Sequence, residues 1–139
     1  MDFLKVNTKL IDEFRANKGK LTGYFATTPI VIITMTGAKS GRTLASPLAY
    51  STDGDDLVVI ASMGGAPNHP NWFHNLAANP AITVELPDES YEATALLTEG
   101  DERRRLYDAQ AEELPVFKEY EESATGHGRE IPVFRLVRN

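Results

Sequence analysis

The chain has 139 residues, 42% of them apolar and 24% charged, which is enough for one domain with its own core. Its formal net charge of −6 argues against a general nucleic-acid binder. It has no cysteine, which excludes disulfides and thiolate chemistry and fits a cytoplasmic protein, and no apolar run reaches the roughly 18 residues of a membrane-spanning helix.

In chain order the sequence reads as an N-terminal arm, residues 1–22, and a domain over residues 23–139. The arm holds five Lys/Arg against three acids, a net of +2, which leaves −8 on the remaining 117 residues. Phe3, Val6, Leu10 and Phe14 recur at three- to four-residue intervals. This spacing predicts an amphipathic helix over 3–17, stopped at Asn17-Lys18-Gly19. Its apolar face suits packing on the domain. Its polar face, with Lys5, Lys9 and Arg15, suits a lid or a peripheral contact with a membrane surface. So charged a start lacks the apolar stretch of a secretory signal.

Pro29–Thr36 is a near-continuous β-branched run, which predicts a strand buried on both faces. Gly37–Arg42 is a turn carrying two cations. A second strand is predicted over Ala45–Thr52, and Asp53-Gly54 signals a hairpin into Leu57–Ala61. Gly64-Gly65 turns the chain again; two glycines after a strand let backbone N–H groups approach a ligand closely. A short helix starts near Asn68 or Pro70 and ends at Asn79-Pro80. Strands follow over Ile82–Leu86 and Tyr91–Leu97. A helix capped by Thr98 runs through Glu112, a second helical piece spans Pro115–Ala124, and Thr125–Gly128 is a loop. Ile131–Val137 is the sixth strand. The order β-β-β-α-β-β-α-α-β does not alternate as a doubly wound parallel sheet would. It predicts an antiparallel barrel with peripheral helices.

Several standard motifs are absent. There is no phosphate loop, no three-glycine dinucleotide fingerprint and no G-x-S-x-G nucleophile elbow. With no cysteine and only His69, His74 and His127, no metal site is expected. Two glycine-containing turns remain. Gly37–Arg42 offers Lys39 and Arg42 as cations, with Ser40 and Gly41 between them. Ala61–Ala66 offers the backbone of Ser62–Gly65. Each alone is as readily an ordinary turn as a ligand site. Together they suit a phosphorylated ligand, its anion at Lys39 and Arg42. Trp72 and Asn75 lie three apart on the short helix and share a face, so Trp72 either walls a ring or anchors the core. Leu114, Phe117 and Tyr120 recur at spacing three, the pattern of an apolar core face.

The pieces Gly37-x-Lys39-Ser40-Gly41-Arg42, Pro47-Leu48, Asp53-Gly54-Asp55, Ala61-Ser62-x-Gly64-Gly65-Ala66, Pro70-x-Trp72-x-x-Asn75-Leu76, Ala78-Asn79-Pro80, Glu102-Arg103 and Arg129-x-Ile131-Pro132-Val133 stand at characteristic spacing. Together, over roughly residues 20–138, they resemble the deazaflavin-dependent nitroreductase family of actinobacterial oxidoreductases. The resemblance implies an α+β, mainly β fold: a split antiparallel β-barrel of the FMN-binding split-barrel type, with peripheral helices. It implies binding of coenzyme F420, a deazaflavin with a phosphate and an acidic oligoglutamate tail. The phosphate and tail would fall on Ala38, Lys39, Ser40, Gly41 and Arg42, and on Leu44, Ala45, Ser46, Pro47 and Leu48. The ring would fall on Ile60, Ala61, Ser62, Met63, Gly64 and Gly65, and on Asn71, Trp72, Phe73, His74 and Asn75. Phe117 would close over the ring or the substrate. The charge of the tail accounts for Lys39 and Arg42 in an acidic chain.

The sequence departs from the family pattern in places. Leu44 stands where the family commonly has an arginine, and Met63 where some relatives carry a lysine. Relatives that reduce bicyclic nitroimidazoles have tyrosines at the positions of Ala49, Leu114, Phe117 and Tyr120. Only Tyr120 keeps a hydroxyl here, so the resemblance leaves nitroimidazole activation open.

The expectation is a reductase passing hydride from reduced F420 to a small conjugated acceptor: a quinone, an enone or a nitro compound. Ala49, Leu114, Phe117 and Tyr120 would form the acceptor side. Ser62 would hydrogen-bond near the ring or acceptor oxygen, and Tyr120 would donate to the developing oxyanion. Two alternatives stand beside it. One is an FMN-dependent reductase of the same fold, which would purify yellow. The other is a non-catalytic carrier of deazaflavin or of another tailed cofactor, such as a haem breakdown product. The partner expected is a small molecule, with the chain a monomer or homodimer.

Overall fold

The computed structural model describes residues 3–22 and 26–139, with side chains from Asn7 onward. The side chains of Phe3, Lys5 and Val6, which the helix pattern invokes, lie outside the described residues. Helix α1 spans Phe3–Ala16. Strands β1 (Ile30–Thr36), β2 (Thr43–Ala49), β3 (Ser51–Asp53) and β4 (Asp56–Ile60) follow. A 3₁₀ turn at Met63–Gly65 leads to helix α2 (Asn71–Ala78). Then come β5 (Ala81–Glu85), β6 (Ser90–Leu97), α3 (Gly100–Glu113), α4 (Val116–Gly126) and β7 (Val133–Arg138). Among the described residues, no helix is long and apolar enough to cross a membrane.

The strands form one antiparallel sheet in the order β2-β1-β5-β6-β7-β4-β3. β2 and β3 are its two edges, yet only Tyr50 separates them in sequence. One residue spans about 3.5 Å. The sheet must therefore curl until its edges come together, and it becomes a barrel left split between β2 and β3. This corrects the expectation of a single strand over Ala45–Thr52 and of six strands in all. The chain changes partner at Tyr50, from β1 on one edge to β4 on the other.

Side-chain alternation explains the three cores. In β1, Val31, Ile33 and Met35 point into the barrel, where they meet Leu57 and Val59 of β4, Phe134 and Leu136 of β7, and Leu76 of α2. Ile30 and Ile32 point the other way, onto Ile11 and Phe14 of α1 and onto Leu21. In β4 the alternate residues Val58 and Ile60 meet Leu106, Tyr107 and Ala111 of α3 and Phe117 and Ala124 of α4. So the unbroken apolar runs in β1 and β4 have cover on both faces, whereas β5 and β6 alternate with polar residues outside. Helix α1 is docked by the burial of Ile11 and Phe14, worth about 3–6 kcal/mol together. It is also tied by the bidentate Arg15–Glu85 pair and by Glu13, which accepts from Thr22 N and Oγ1.

Two further local expectations are corrected. Thr98 does not cap α3; its N–H and Oγ1 both donate to Val133 O, at 2.9 and 2.8 Å, and lock the end of β6 to β7. Thr125 and Gly126 belong to α4, which ends at His127 rather than before the Thr125–Gly128 segment.

Helix α3 holds one unpaired buried group. Gln110 is fully buried, its Oε1 accepts from Ser51 Oγ at 3.0 Å, and its Nε2 has no partner. A buried amide N–H₂ without an acceptor costs more than one neutral hydrogen bond returns. Gln110→Met is therefore expected to stabilise the fold by about 1 kcal/mol, since half-exposed Ser51 can turn to water. Thermal denaturation checks this; a lower midpoint would show that the Ser51 bond outweighs the orphan amide.

Candidate functional site

The β1–β2 connection is a closed turn. Gly37 N donates to Arg42 O and Gly41 N to Gly37 O, while Ser40 Oγ accepts from Arg42 N. A Cβ on Gly37 would sit 2.5 Å from Ser40 Oγ, so glycine is needed for this internal bond to form. The turn leaves Lys39 and Arg42 exposed. Among the described residues, Arg15, Arg103, Arg104, Arg105, Arg135 and Arg138 each meet a carboxylate, but Lys39 and Arg42 meet none. In a chain of net charge −6 this is an unneutralised cationic spot.

The Ala61–Ala66 turn is built differently. Ser62 starts the 3₁₀ turn, Gly65 N donates to Ser62 O, and Ala66 N donates to Met63 O. Gly64 and Gly65 have positive φ, and so does Met63, at +50°. A side chain in that region costs about 1–2 kcal/mol, so something must hold Met63 there. That support is Arg129, which is buried just before β7. Its guanidinium donates to Ala61 O, to Ser62 O at 3.0 Å, to Ala66 O at 2.6 Å and to His69 Nδ1 at 2.8 Å. Burial lowers the affinity of both Arg129 and His69 for protons, and the neighbouring guanidinium lowers that of His69 further. Gly65 has a packing role. A Cβ on it would sit 2.6 Å from Tyr120 O, and Ser123 Oγ donates to Gly65 O at 3.0 Å, so α4 covers the Cβ side of this residue.

Helix α2 joins the two turns. Asn75 Oδ1 accepts from Ala38 N at 2.9 Å, and its Nδ2 approaches Met35 Sδ at 3.6 Å. Trp72 packs on the core and also lines a cleft. Its ring lies 6.1 Å from that of Phe134.

That cleft, of about 550 Å³, lies between β2, the 3₁₀ turn, α2 and α1. β2 contributes Leu44 through Leu48, the turn contributes Met63, and α2 with its approach contributes Pro70, Asn71, Trp72 and Asn75. Helix α1 adds Asn7, Thr8 and Ile11. Leu44 and Met63 are 42% and 51% exposed, so two exposed apolar side chains border the cleft.

The structure thus brings nine of the sequence-predicted positions around one cleft, with Lys39, Ser40, Gly41 and Arg42 on the turn that Ala38 anchors to it. Others serve different ends. Ile60 is in the core beneath α3 and α4, Phe73 packs on the inner core, and His74 is exposed on α2 away from the lining. Ala49 packs toward α1. Leu114, Phe117 and Tyr120 are not brought to the cleft. Phe117 is a core residue whose carbonyl accepts from Tyr107 Oη at 2.6 Å, and the Tyr120 ring stacks edge-on against it at 5.2 Å. Burial pushes the Tyr107 hydroxyl up to about 12, so it stays a donor. Arg129, His69, Asn7, Thr8 and Ile11 were not singled out as site residues. Ile11 lies three before Phe14, beside the apolar positions of the helix pattern, and no local signal marks Asn7 and Thr8 as facing a cleft.

Comparison with known proteins gives this arrangement a context. A solved F420-H2-dependent reductase, FDR-A, is 38% identical with a TM-score of 0.70, covering 78% of this chain and 93% of that one. A chain solved as a domain-swapped dimer is 34% identical with a TM-score of 0.71, covering 97% of each. The F420H(2)-dependent quinone reductase Rv1261c of Mycobacterium tuberculosis is 37% identical over 67 residues, 48% of this chain. The match spans 45% of that relative's length. Finally, the family model described as F420H(2)-dependent quinone reductase matches residues 7–138, which takes in α1 from Asn7 onward, both turns, the cleft and Arg129. The chain belongs to that family.

Proposed function

We propose that this chain binds coenzyme F420 in the cleft and uses its reduced form to reduce a small conjugated acceptor, a quinone foremost. The observation that carries this is the pairing of an apolar, tryptophan-walled cleft with a cationic turn that has no carboxylate partner. A planar ring suits the first and an acidic tail the second. The volume of about 550 Å³ lies within the range of small-molecule sites. Family membership and the F420-dependent relatives support the same choice of cofactor.

The chain's own groups divide the work. Lys39 and Arg42 hold the tail through charge-assisted hydrogen bonds. Trp72, Pro47, Leu48 and Ile11 supply apolar wall and exclude water from one side. Ser62 is the chain neighbour of Met63, which lines the cleft, and its hydroxyl is the group we assign to the ring or acceptor oxygen. When bound and reduced, the deazaflavin supplies the hydride. The acceptor's proton comes from solvent, since no acid lines the cleft among the described residues.

Rapid mixing of the F420H2-loaded protein with menadione tests turnover. The expected result is loss of reduced cofactor in a single exponential phase, with its rate rising with menadione. Binding without oxidation would make the protein a carrier instead.

A further inference from the structure

We infer that Arg129 and His69 are positioning residues for the ligand-facing turn, and that protonation of His69 opens the turn and weakens cofactor binding. The inference rests on the proposed cofactor site and adds a control element to it.

The geometry is specific. An arginine Nε–H can only donate, so the ring nitrogen it faces must carry a lone pair. His69 is therefore neutral while this 2.8 Å bond stands. A proton on that nitrogen would set N–H against N–H and cation against cation. The same guanidinium holds the carbonyls of Ala61, Ser62 and Ala66, so displacing it releases both ends of the turn and Met63 between them.

The charged surroundings offer no compensation. From α2, the His74 ring lies 6.3 Å from that of His69, and Phe73 meets His69 edge-on at 4.4 Å. Arg129 borders a polar basin with Arg103 and Arg104 of α3, Glu121 and Glu122 of α4, and Glu130. There Glu121 pairs with Arg103 and Arg104, and Glu130 pairs with Arg103. Among the described residues, no carboxylate forms an ion pair with Arg129 or His69. Burial, then Arg129, then His74 hold His69 below its ordinary value of 6.5. The sign follows. The open turn takes up a proton near 6.5 and the closed turn resists it, so closure is most favoured above 6.5 and weakens as the pH falls from there through the lower value of the closed turn.

Two measurements on the full chain test this. The first is hydrogen exchange at Gly65 N–H and Ala66 N–H in ligand-free protein, expressed as protection factors at about pH 7.5 and about pH 5.5. Protection is expected to fall on acidification, by at most about tenfold per pH unit between 6.5 and the lower value of the closed turn. In His69→Gln the amide oxygen still accepts from Arg129 but cannot titrate, so protection should stay constant. Flat protection in the wild type, or a parallel fall in His69→Gln, would overturn the inference; the wild-type result stands even if the variant folds poorly. The second is the dissociation constant of oxidised F420 by equilibrium dialysis at the same pH values. Dividing wild type by His69→Gln cancels the ligand's own titration, and the ratio should rise on acidification. Binding with a constant ratio overturns the inference. Absence of F420 binding at every pH, with pH-dependent protection intact, overturns the cofactor assignment and leaves the Arg129–His69 device standing.

Discussion

Arg129→Met is expected to lower stability by about 3–5 kcal/mol, a shift in melting midpoint of about 10–20 °C, and to abolish cofactor binding together with it. One side chain here satisfies three backbone carbonyls and a histidine nitrogen, all within Ala61–His69. Methionine leaves Ala61 O, Ala66 O and His69 Nδ1 without this donor, at about 1–3 kcal/mol for each that water cannot reach, while Ser62 O keeps its bond from Gly65 N. Ala61 is fully buried, so at least its carbonyl stays unpaired. Met63 would then lose what holds it at φ +50° and relax to a commoner conformation, moving the cleft wall it forms. Arg129→Lys should recover little, because an ammonium is a point donor and cannot span four acceptors. Differential scanning calorimetry with and without ligand checks both effects. An unchanged midpoint would mean that the turn holds itself.

The second large effect is at the other turn and has the opposite character. Lys39→Ala with Arg42→Ala is expected to leave the melting midpoint within the range of neutral surface changes, about 0.5 kcal/mol, since both side chains are exposed and unpaired. Affinity for F420 should nonetheless fall by about 1.5–3 kcal/mol for each lost charge-assisted bond, or roughly 10²–10⁴-fold together. Wild-type affinity should weaken with added salt and that of the double variant should not, because exposed charges are screened. Equal affinity in both proteins would place the acidic tail elsewhere. Leu44 and Met63 sharpen this expectation: with apolar side chains bordering the cleft, few other cations are near enough to substitute.

The contrast between the two turns shows what the sequence could and could not reveal. Lys39, Ser40 and Arg42 lie within four consecutive residues, and a local pattern is enough to read that turn. The Ala61–Ala66 turn depends on Arg129, more than sixty residues away, and nothing near either segment links them. Gly64-Gly65 was legible as a turn, but only the close approach of α4 shows that Gly65 has a packing role. Phe117 obeyed the helical periodicity that pointed to a core face, and the structure follows that pattern in keeping it from the cleft. The break at Tyr50 was illegible for a different reason. Both sides of it have strand chemistry, and only closure of the sheet makes the chain exchange one edge for the other. Likewise, α1 could be read as amphipathic, whereas Asn7 and Thr8 face the cleft only because Ile11 and Phe14 dock the helix on β1.

The central claim is that one cleft, apolar at its wall and cationic at its end, selects a deazaflavin with an acidic tail. A fluorescence titration of the purified protein with oxidised F420, run beside FMN, tests it most directly. The expected result is a colourless protein that binds F420 saturably below tens of micromolar and binds FMN more weakly, since FMN offers Lys39 and Arg42 a phosphate alone, without the oligoglutamate carboxylates. A yellow protein that releases FMN on denaturation, or no saturation with F420 at tens of micromolar, would contradict it.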